Sequence, residues 1–285
     1  MPSHNATRPT ESDRAHSAAF VTTLQQPDGS FAWVPGQPGD LGATSTALRV
    51  FTECGTLVPR RDDVLAYVES CFDTTTHGFS LTPGGQTSLH SIAEGHVALV
   101  ALQASSQQRT RGLDSLVDPL VRTPFDVWIA AAFLDTAGVA PSAAARWAET
   151  VLAERHPDGS WGQGAARAVQ TAMHASSLLL LGMQVPDVFA VRDVVLQAQT
   201  PAGGWPDPDA HGQPTLAATY RVARVLRMLS IPADLAAVNA FTAQCRRPHG
   251  GYAAAPDDEH PDLVNTYLAL TIDRWLNEPD KSGIN

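Results

Sequence analysis

The chain has 285 residues, 44% of them apolar, and a formal charge of −10, so it can bury a large core but offers no basic face to a nucleic-acid backbone. Its positive charge is almost entirely arginine; Lys281 is the single lysine, which removes Schiff-base chemistry and any phosphate-loop lysine. Cys54, Cys71 and Cys245 are an odd number with no close pair, and read as buried, reduced thiols with neither a disulfide frame nor a zinc site.

Met1 to Asp13 is polar and lacks the apolar segment of a secretory signal, and no apolar run reaches the roughly eighteen residues of a membrane span. Residues 1–11 therefore read as a disordered N-terminal segment of a cytoplasmic protein. The first distinctive turn, Pro27-Asp28-Gly29-Ser30-Phe31, leads to an apolar helix predicted at Thr44–Phe51. An amphipathic helix, Arg61–Phe72, follows, then a looser turn at His77-Gly78-Phe79 and an apolar helix at Ala93–Leu102. The apolar helix Asp126–Ala137 has no visible glycine turn before it. Beyond it come amphipathic Ser142–Arg155, the turn Pro157-Asp158-Gly159-Ser160-Trp161 and apolar Val169–Leu181. Gly203-Gly204-Trp205 precedes Leu216–Leu229; amphipathic Ala233–Gln244 and Gly250-Gly251-Tyr252 precede Leu263–Leu276.

Gly29, Gly78, Gly159, Gly204 and Gly251 are separated by 49, 81, 45 and 47 residues. The long step is nearly two periods, so a degenerate copy belongs near Leu120, making six units of a repeat architecture. A helix that is apolar all round must be buried on every side. A ring of six such helices, wrapped by six amphipathic ones, satisfies both sets. The expectation is an all-α protein: one (α/α)6 barrel, or toroid, of six helix–turn–helix repeats over residues 12–276, with a C-terminal tail at 277–285.

Gln25-Gln26-Pro27-Asp28-Gly29-Ser30-Phe31 and Gln199-Thr200-Pro201-Ala202-Gly203-Gly204-Trp205 fit the pattern Q-x-x-x-G-x-[FW]. They resemble the repeat motif of squalene and oxidosqualene cyclases, although Arg155 and Arg246 replace the glutamine in two copies. His249-Gly250-Gly251-Tyr252, with Pro261 to Tyr267 downstream, is similar to a protein prenyltransferase β-subunit repeat. The resemblance covers roughly residues 20–276 and implies the barrel fold. It also implies an apolar pocket for a prenyl or polycyclic substrate, with inner-helix N-termini gathered at one mouth. The activities it implies are those of an isomerase or lyase of secondary metabolism.

The family's two chemistries lack their residues here. The acid motif D-x-D-D-T-A is reduced to Pro261-Asp262-Leu263-Val264-Asn265-Thr266, with one acid, and to Gly42-Ala43-Thr44-Ser45-Thr46-Ala47, with none. The zinc ligands of protein prenyltransferases fall on Ala217, Thr219 and Asn265, so a zinc-dependent transfer is not expected. What remains is a set of polar residues on apolar helices. Asp126, His90, Glu94, Tyr220 and Asp262 are the catalytic candidates. Asp126 opens an inner helix beside Trp128 and below Pro124, where desolvation would raise a carboxyl pKa; the competing reading is a helix cap. Glu94 lies four residues after His90 and shares its face. Trp128, His174, Arg224, Asn265 and Tyr267 are the substrate-binding candidates, with His174 also legible as a core histidine. Tyr220 and Arg224 share a face, Arg221 is placed elsewhere, and Arg224 can grip an anionic group or pair with an outer-helix acid.

Asp207, Asp209 and His211 in one loop, and Asp257, Asp258, Glu259 and His260 in another, are dense enough to take Mg²⁺, although neither matches a known calcium loop. No other cofactor is expected. The functional expectation is a stand-alone enzyme that cyclises or isomerises a terpenoid or polyene-like small molecule by acid–base chemistry. A non-catalytic module binding a hydrophobic ligand or a protein, and a zinc-independent prenyl transferase, are the alternatives. The oligomeric state is left open.

Overall fold

In the computed structural model, which describes residues 9–104 and 113–277, the helices alternate between two layers. They are α1 (Glu11–Thr22) and α2 (Leu41–Cys54), α3 (Arg61–Ser70) and α4 (Leu89–Ala101), α5 (Leu113–Val117) and α6 (Pro124–Ala137). The second half holds α7 (Ala144–Leu152) and α8 (Ala166–Leu180), α9 (Val188–Gln197) and α10 (Leu216–Met228), α11 (Leu235–Cys245) and α12 (Leu263–Asn277). Each even-numbered helix packs on the next, from α2 to α4, α6, α8, α10 and α12, and α12 packs back on α2. The ring closes. The odd-numbered helices wrap it, and the expected six-unit barrel is the observed fold.

One hydrogen bond recurs around the ring. The Oγ1 of Thr44, Thr171 and Thr266 accepts the backbone N–H of Phe31, Trp161 and Tyr252, each at 3.0 Å. Thr219 does the same for Trp205 at 3.4 Å. These threonines sit near the start of the inner helices, and the aromatic residues close the glycine turns. Phe31, Trp161, Trp205 and Tyr252 are all essentially buried. Trp161 and Trp205 also donate through Nε1 to Val151 O and Val195 O, at 2.8 and 2.6 Å, on or beside the preceding outer helices. In the second unit Ser91 Oγ donates instead to Phe79 O at 2.6 Å. Each turn therefore ties an inner helix to an outer one.

Gly29, Gly159, Gly203 and Gly250 press on the outer helix that follows, whereas Gly78 meets Thr87 of its own loop. A Cβ on Gly203, whose φ is +102°, would lie 1.9 Å from Ala237 O of α11. At Gly250 the neighbour is His16 of α1, so the last turn locks onto the first helix. Ser17 Oγ donates to Gly250 O at 2.7 Å, and Arg246 pairs with Asp13 across the same seam. The motif glutamines work in the same place: Gln25 Nε2 donates to Pro59 O at 3.0 Å, and Gln199 Nε2 to Asp234 O at 3.3 Å. Arg246 therefore replaces a glutamine in residue type and keeps the link to the next unit.

Among the described residues strand is confined to two short antiparallel ladders, Phe72–Asp73 with Gly78–Phe79 and Trp205–Pro206 with Pro214–Thr215. The third unit is the degenerate one: a 3₁₀ turn, Asp118–Leu120, and no glycine lies between α5 and α6. Inner helices α10 and α12 begin where their apolar runs predict, at Leu216 and Leu263, whereas the other four begin earlier. Helix α4 starts at Leu89 and not Ala93 because the polar Ser88–Ser91 capping box starts the helix. Likewise α1 opens at Glu11 through the Thr10–Asp13 box, inside the segment expected to be disordered. The rest of that expectation, and the tail beyond Asn277, lie outside the described residues. Among the described residues no helix is long and apolar enough to cross a membrane.

The threonine link is testable. Thr266→Val keeps the shape but strands the buried Tyr252 N–H, so thermal unfolding should show a loss of about 1–3 kcal/mol. An unchanged melting temperature would remove this bond from the account.

Candidate functional site

Around α10 the fully buried residues cover one side, while Ala217, Tyr220, Arg221, Arg224 and Arg227 keep partial exposure. These positions recur at helical spacing and form one stripe. Outer helices and turns cover the opposite side, so the stripe faces the lumen. The same pattern places Arg49 on α2, Glu94 and Val97 on α4, Trp128 and Ala132 on α6, and Tyr267 and Trp275 on α12 on the lumen wall. Phe125, half exposed, stacks on Trp128 with ring centroids 5.7 Å apart, giving the rim an apolar element.

Four inner helices bring polar and aromatic groups together on that wall. Arg49 of α2 binds Glu94 of α4 at 3.2 Å, and its guanidinium lies 4.4 Å from the ring centroid of Tyr267 of α12. The Tyr267 hydroxyl is 3.5 Å from that of Tyr220 on α10. Tyr220 in turn packs on Trp275 at 4.8 Å between centroids, and Arg224 lies 5.8 Å from the Trp275 ring. Arg49 joins Thr46 as well, at 3.1 Å.

The two phenols are electrostatically unlike. Burial pushes the Tyr220 hydroxyl well above its ordinary pKa, and Tyr267 beside it adds to the shift. Burial acts upward on Tyr267 too, but the Arg49 cation and the hydrogen bond with Tyr220 outweigh it and hold Tyr267 below the ordinary tyrosine value. Arg49 stays charged although burial opposes it, because Glu94 and Tyr267 stabilise its cation. The arrangement supplies a phenol that loses its proton more readily than a free tyrosine, beside one that keeps it.

The model of the prenyltransferase alpha-alpha toroid domain matches residues 6–123 and 121–282. The chain belongs to that family. The toroid is similar to the type II terpene cyclase MstE from Scytonema, at 13% identity and a TM-score of 0.63, over 94% of this chain and 98% of the cyclase. It is similar to protein geranylgeranyltransferase-I of Candida albicans complexed with GGPP, at 12% identity and a TM-score of 0.66, over 83% and 84% of the two chains. A glycosidase in complex with glucose shares the fold at 14% identity and a TM-score of 0.57, over 96% and 98%. No curated protein sequence matches the chain. At such identities these neighbours establish the fold alone.

Of the residues singled out from sequence, Glu94, Tyr220, Tyr267, Trp128 and Arg224 share the lumen wall, and His90 is exposed at the rim one turn above Glu94. The rest serve the toroid's own construction. Asp126 Oδ2 accepts from Arg122 N, Thr123 N and Thr123 Oγ1 at 3.1, 2.9 and 2.9 Å, which is the capping box of α6 and not a group aimed at a ligand. Asp262 accepts from Asn265 N at 2.7 Å and from Asn265 Nδ2 at 2.8 Å; it caps α12 and occupies Asn265. Burial raises the Asp262 pKa against those two bonds. His174 stacks on Trp161 and its Nδ1 meets Gln170 O at 2.6 Å, away from the lumen, and burial lowers its pKa.

Arg224 has no ion pair among the described residues, and Arg221, placed elsewhere from sequence, lies in the same stripe. Arg49 and Trp275 were missed. Arg49 does carry a sequence signal, a charge inside the apolar run Thr44–Phe51. In the acidic loops, Asp207 is buried and engaged by Thr215 Oγ1 at 2.6 Å and Asp209 N at 3.0 Å. Among the described residues no three His, Cys, Asp or Glu side chains gather as a metal site.

At the third position of α6 an asparagine oxygen can still accept from Thr123 N–H. Asp126→Asn should therefore lose no more than about 1 kcal/mol of stability, with the first-turn negative charge, and leave turnover close to wild type. A large loss of turnover in a folded variant would return Asp126 to the site.

Proposed function

We propose that this toroid is an enzyme that folds a terpenoid or polyene-like substrate in its lumen and cyclises or isomerises it, with Tyr267 as the proton donor. The observation that carries the reading is Tyr267 itself, a phenol held below its ordinary pKa by Arg49 inside an aromatic wall. A phenol is too weak to protonate an isolated alkene, so the substrate carries an epoxide or an activated carbonyl. Tyr267 gives its proton to that oxygen, and Arg49 stabilises the phenolate. The positive charge that develops along the polyene is met by the faces of Tyr220, Trp275 and Trp128. The phenolate then removes a proton from the cyclised cation, which restores Tyr267 and leaves an isomer of the substrate. Glu94 is a positioning residue that holds Arg49.

The kinship with MstE supports this reading, since one structure of that cyclase holds merosterolic acid A as product. The glycosidase reading fits less well: sugar hydrolysis needs two carboxyl groups flanking the bond, and Glu94 is neutralised by Arg49. Zinc-dependent prenyl transfer also fits poorly, because Thr219 is bonded to the Trp205 turn and Asn265 to Asp262. The proposed cycle uses no metal ion. Its setting is the cytoplasm.

The test is incubation with linear polyprenyl epoxides and carbonyl compounds, read by gas chromatography with mass detection. Wild type should give cyclic products of unchanged mass, and Tyr267→Phe should be slower by about 10²–10⁴. Because the acid must be protonated, turnover should fall as pH rises through the Tyr267 pKa, below the ordinary tyrosine range. Arg49→Gln should move that alkaline limb to higher pH. No conversion of any substrate, or equal rates in wild type and Tyr267→Phe, would sink the proposal and leave a binding module.

A further inference from the structure

The lumen wall holds two cations that the acid–base cycle does not use. Arg221 and Arg224 are three residues apart on α10, so their side chains are neighbours on one helical face, where like charges repel. Both keep partial exposure on the lumen stripe. Neither has a hydrogen bond or an ion pair among the described residues, in a chain with 29 acidic residues against 19 basic ones. The other arginines of the wall are engaged: Arg49 with Glu94, Arg274 with Glu53 at 2.7 Å, and Arg227 with Trp275 O at 3.1 Å. Arg224 rests 5.8 Å from the centroid of the Trp275 ring, a contact that uses the face of a guanidinium and none of its N–H donors. Two adjacent guanidinium groups without an internal counter-charge are relieved by a bound anion, and their donor forks match a carboxylate or a phosphate.

We infer that Arg221 and Arg224 form an anion site on the lumen wall that takes the carboxylate or phosphate head group of a long-chain substrate. This deepens the proposed function, resting on it only for the hydrophobic ligand in the lumen, and makes the substrate class an anionic amphiphile. Arg224 stands four residues beyond Tyr220 along α10, about 6 Å deeper at 1.5 Å per residue. The head group is therefore held below the tyrosine pair, and the apolar chain runs past Tyr220 and Tyr267 toward the rim at Phe125. Such anchoring would set which oxygen or carbon of the chain meets the Tyr267 hydroxyl.

Farnesol, farnesoic acid and farnesyl phosphate share one chain and differ in head group, so their affinities isolate the site. Binding is read by quenching of tryptophan fluorescence and by calorimetry, with circular dichroism to confirm folding. Wild type should bind at least one of the two anions at least tenfold more tightly than farnesol, with the advantage shrinking in high salt. The tighter of the two names the head group. Arg224→Gln and Arg221→Gln should each reduce the advantage, and the double variant should erase it while farnesol affinity stays within about twofold. Equal affinity of wild type for all three, or an advantage that survives the double variant, overturns the anion site. Should the double variant fail to fold, the wild-type ranking and Arg224→Gln decide. Binding of none of the three would overturn this site together with the lumen-ligand reading. An intact anion preference with no turnover would remove only the cyclase.

Discussion

The threonine at the start of an inner helix, accepting the N–H of the aromatic residue that ends the preceding turn, is the bond on which the toroid depends. A glycine-aromatic turn has backbone groups that must be buried between two helical layers, where water cannot serve them. The threonine oxygen meets that need from the inner layer, and the indole N–H of Trp161 and Trp205 meets a carbonyl of the outer one. In four of the units the turn glycine also abuts the next outer helix, which registers the unit against its successor. Repetition of that link fixes the curvature, and the seam of Gly250, Ser17, Arg246 and Asp13 lets the ring close with the same contacts it uses elsewhere.

This construction divides the labour of every inner helix. Its outward face and first turn belong to the fold, which is why Asp262, Asn265, Thr219 and His174 are all consumed by caps, turns and aromatic stacking. Its lumen face has no structural partner to satisfy. Charged and aromatic residues can accumulate there without weakening the ring. Arg49, Tyr220, Arg224, Tyr267 and Trp275 do so on three consecutive helices of the closed circuit, α10, α12 and α2.

The fold was legible in the sequence because its signals are local and repeated. The glycine-aromatic turns, the 45–49-residue steps and the all-apolar helices each point to the same ring. Even the degenerate third unit was locatable, since a missing turn still leaves an apolar helix at the right interval. The site was legible only in part. Residue type and position on an inner helix singled out Glu94, Tyr220, Tyr267 and Arg224, which line the lumen wall, and Asp126 and Asp262, which cap helices, without telling the two sides apart. Asp126 shows why: an acid at the third position of a helix carries the same sequence signature whether it faces a ligand or folds back on Thr123. Arg221 failed for a related reason. The accessible stripe is wide enough to admit residues 100° apart, so sharing a face with Tyr220 was too narrow a criterion.

In the proposed cycle, the choice of Tyr267 over Glu94 as the acid follows from what each must give up. At 3.2 Å from Arg49, and with an effective dielectric near 20, the Glu94 carboxylate is attracted by about 5 kcal/mol before desolvation is counted. To act as an acid Glu94 would first have to take up a proton and forfeit that attraction, and Arg49 would be left as an uncompensated cation in the wall. As the donor of the proposed cycle, Tyr267 is neutral before transfer. It gains the attraction of Arg49 only when its proton leaves, so the same cation that disqualifies Glu94 favours the charge-separated state of Tyr267. Arg49 thus distinguishes a ground state from the state that follows proton transfer, which is the differential interaction that catalysis requires. Glu53 tempers the effect, since its negative charge acts upward on Tyr267, and Tyr267 remains the readier donor of the pair.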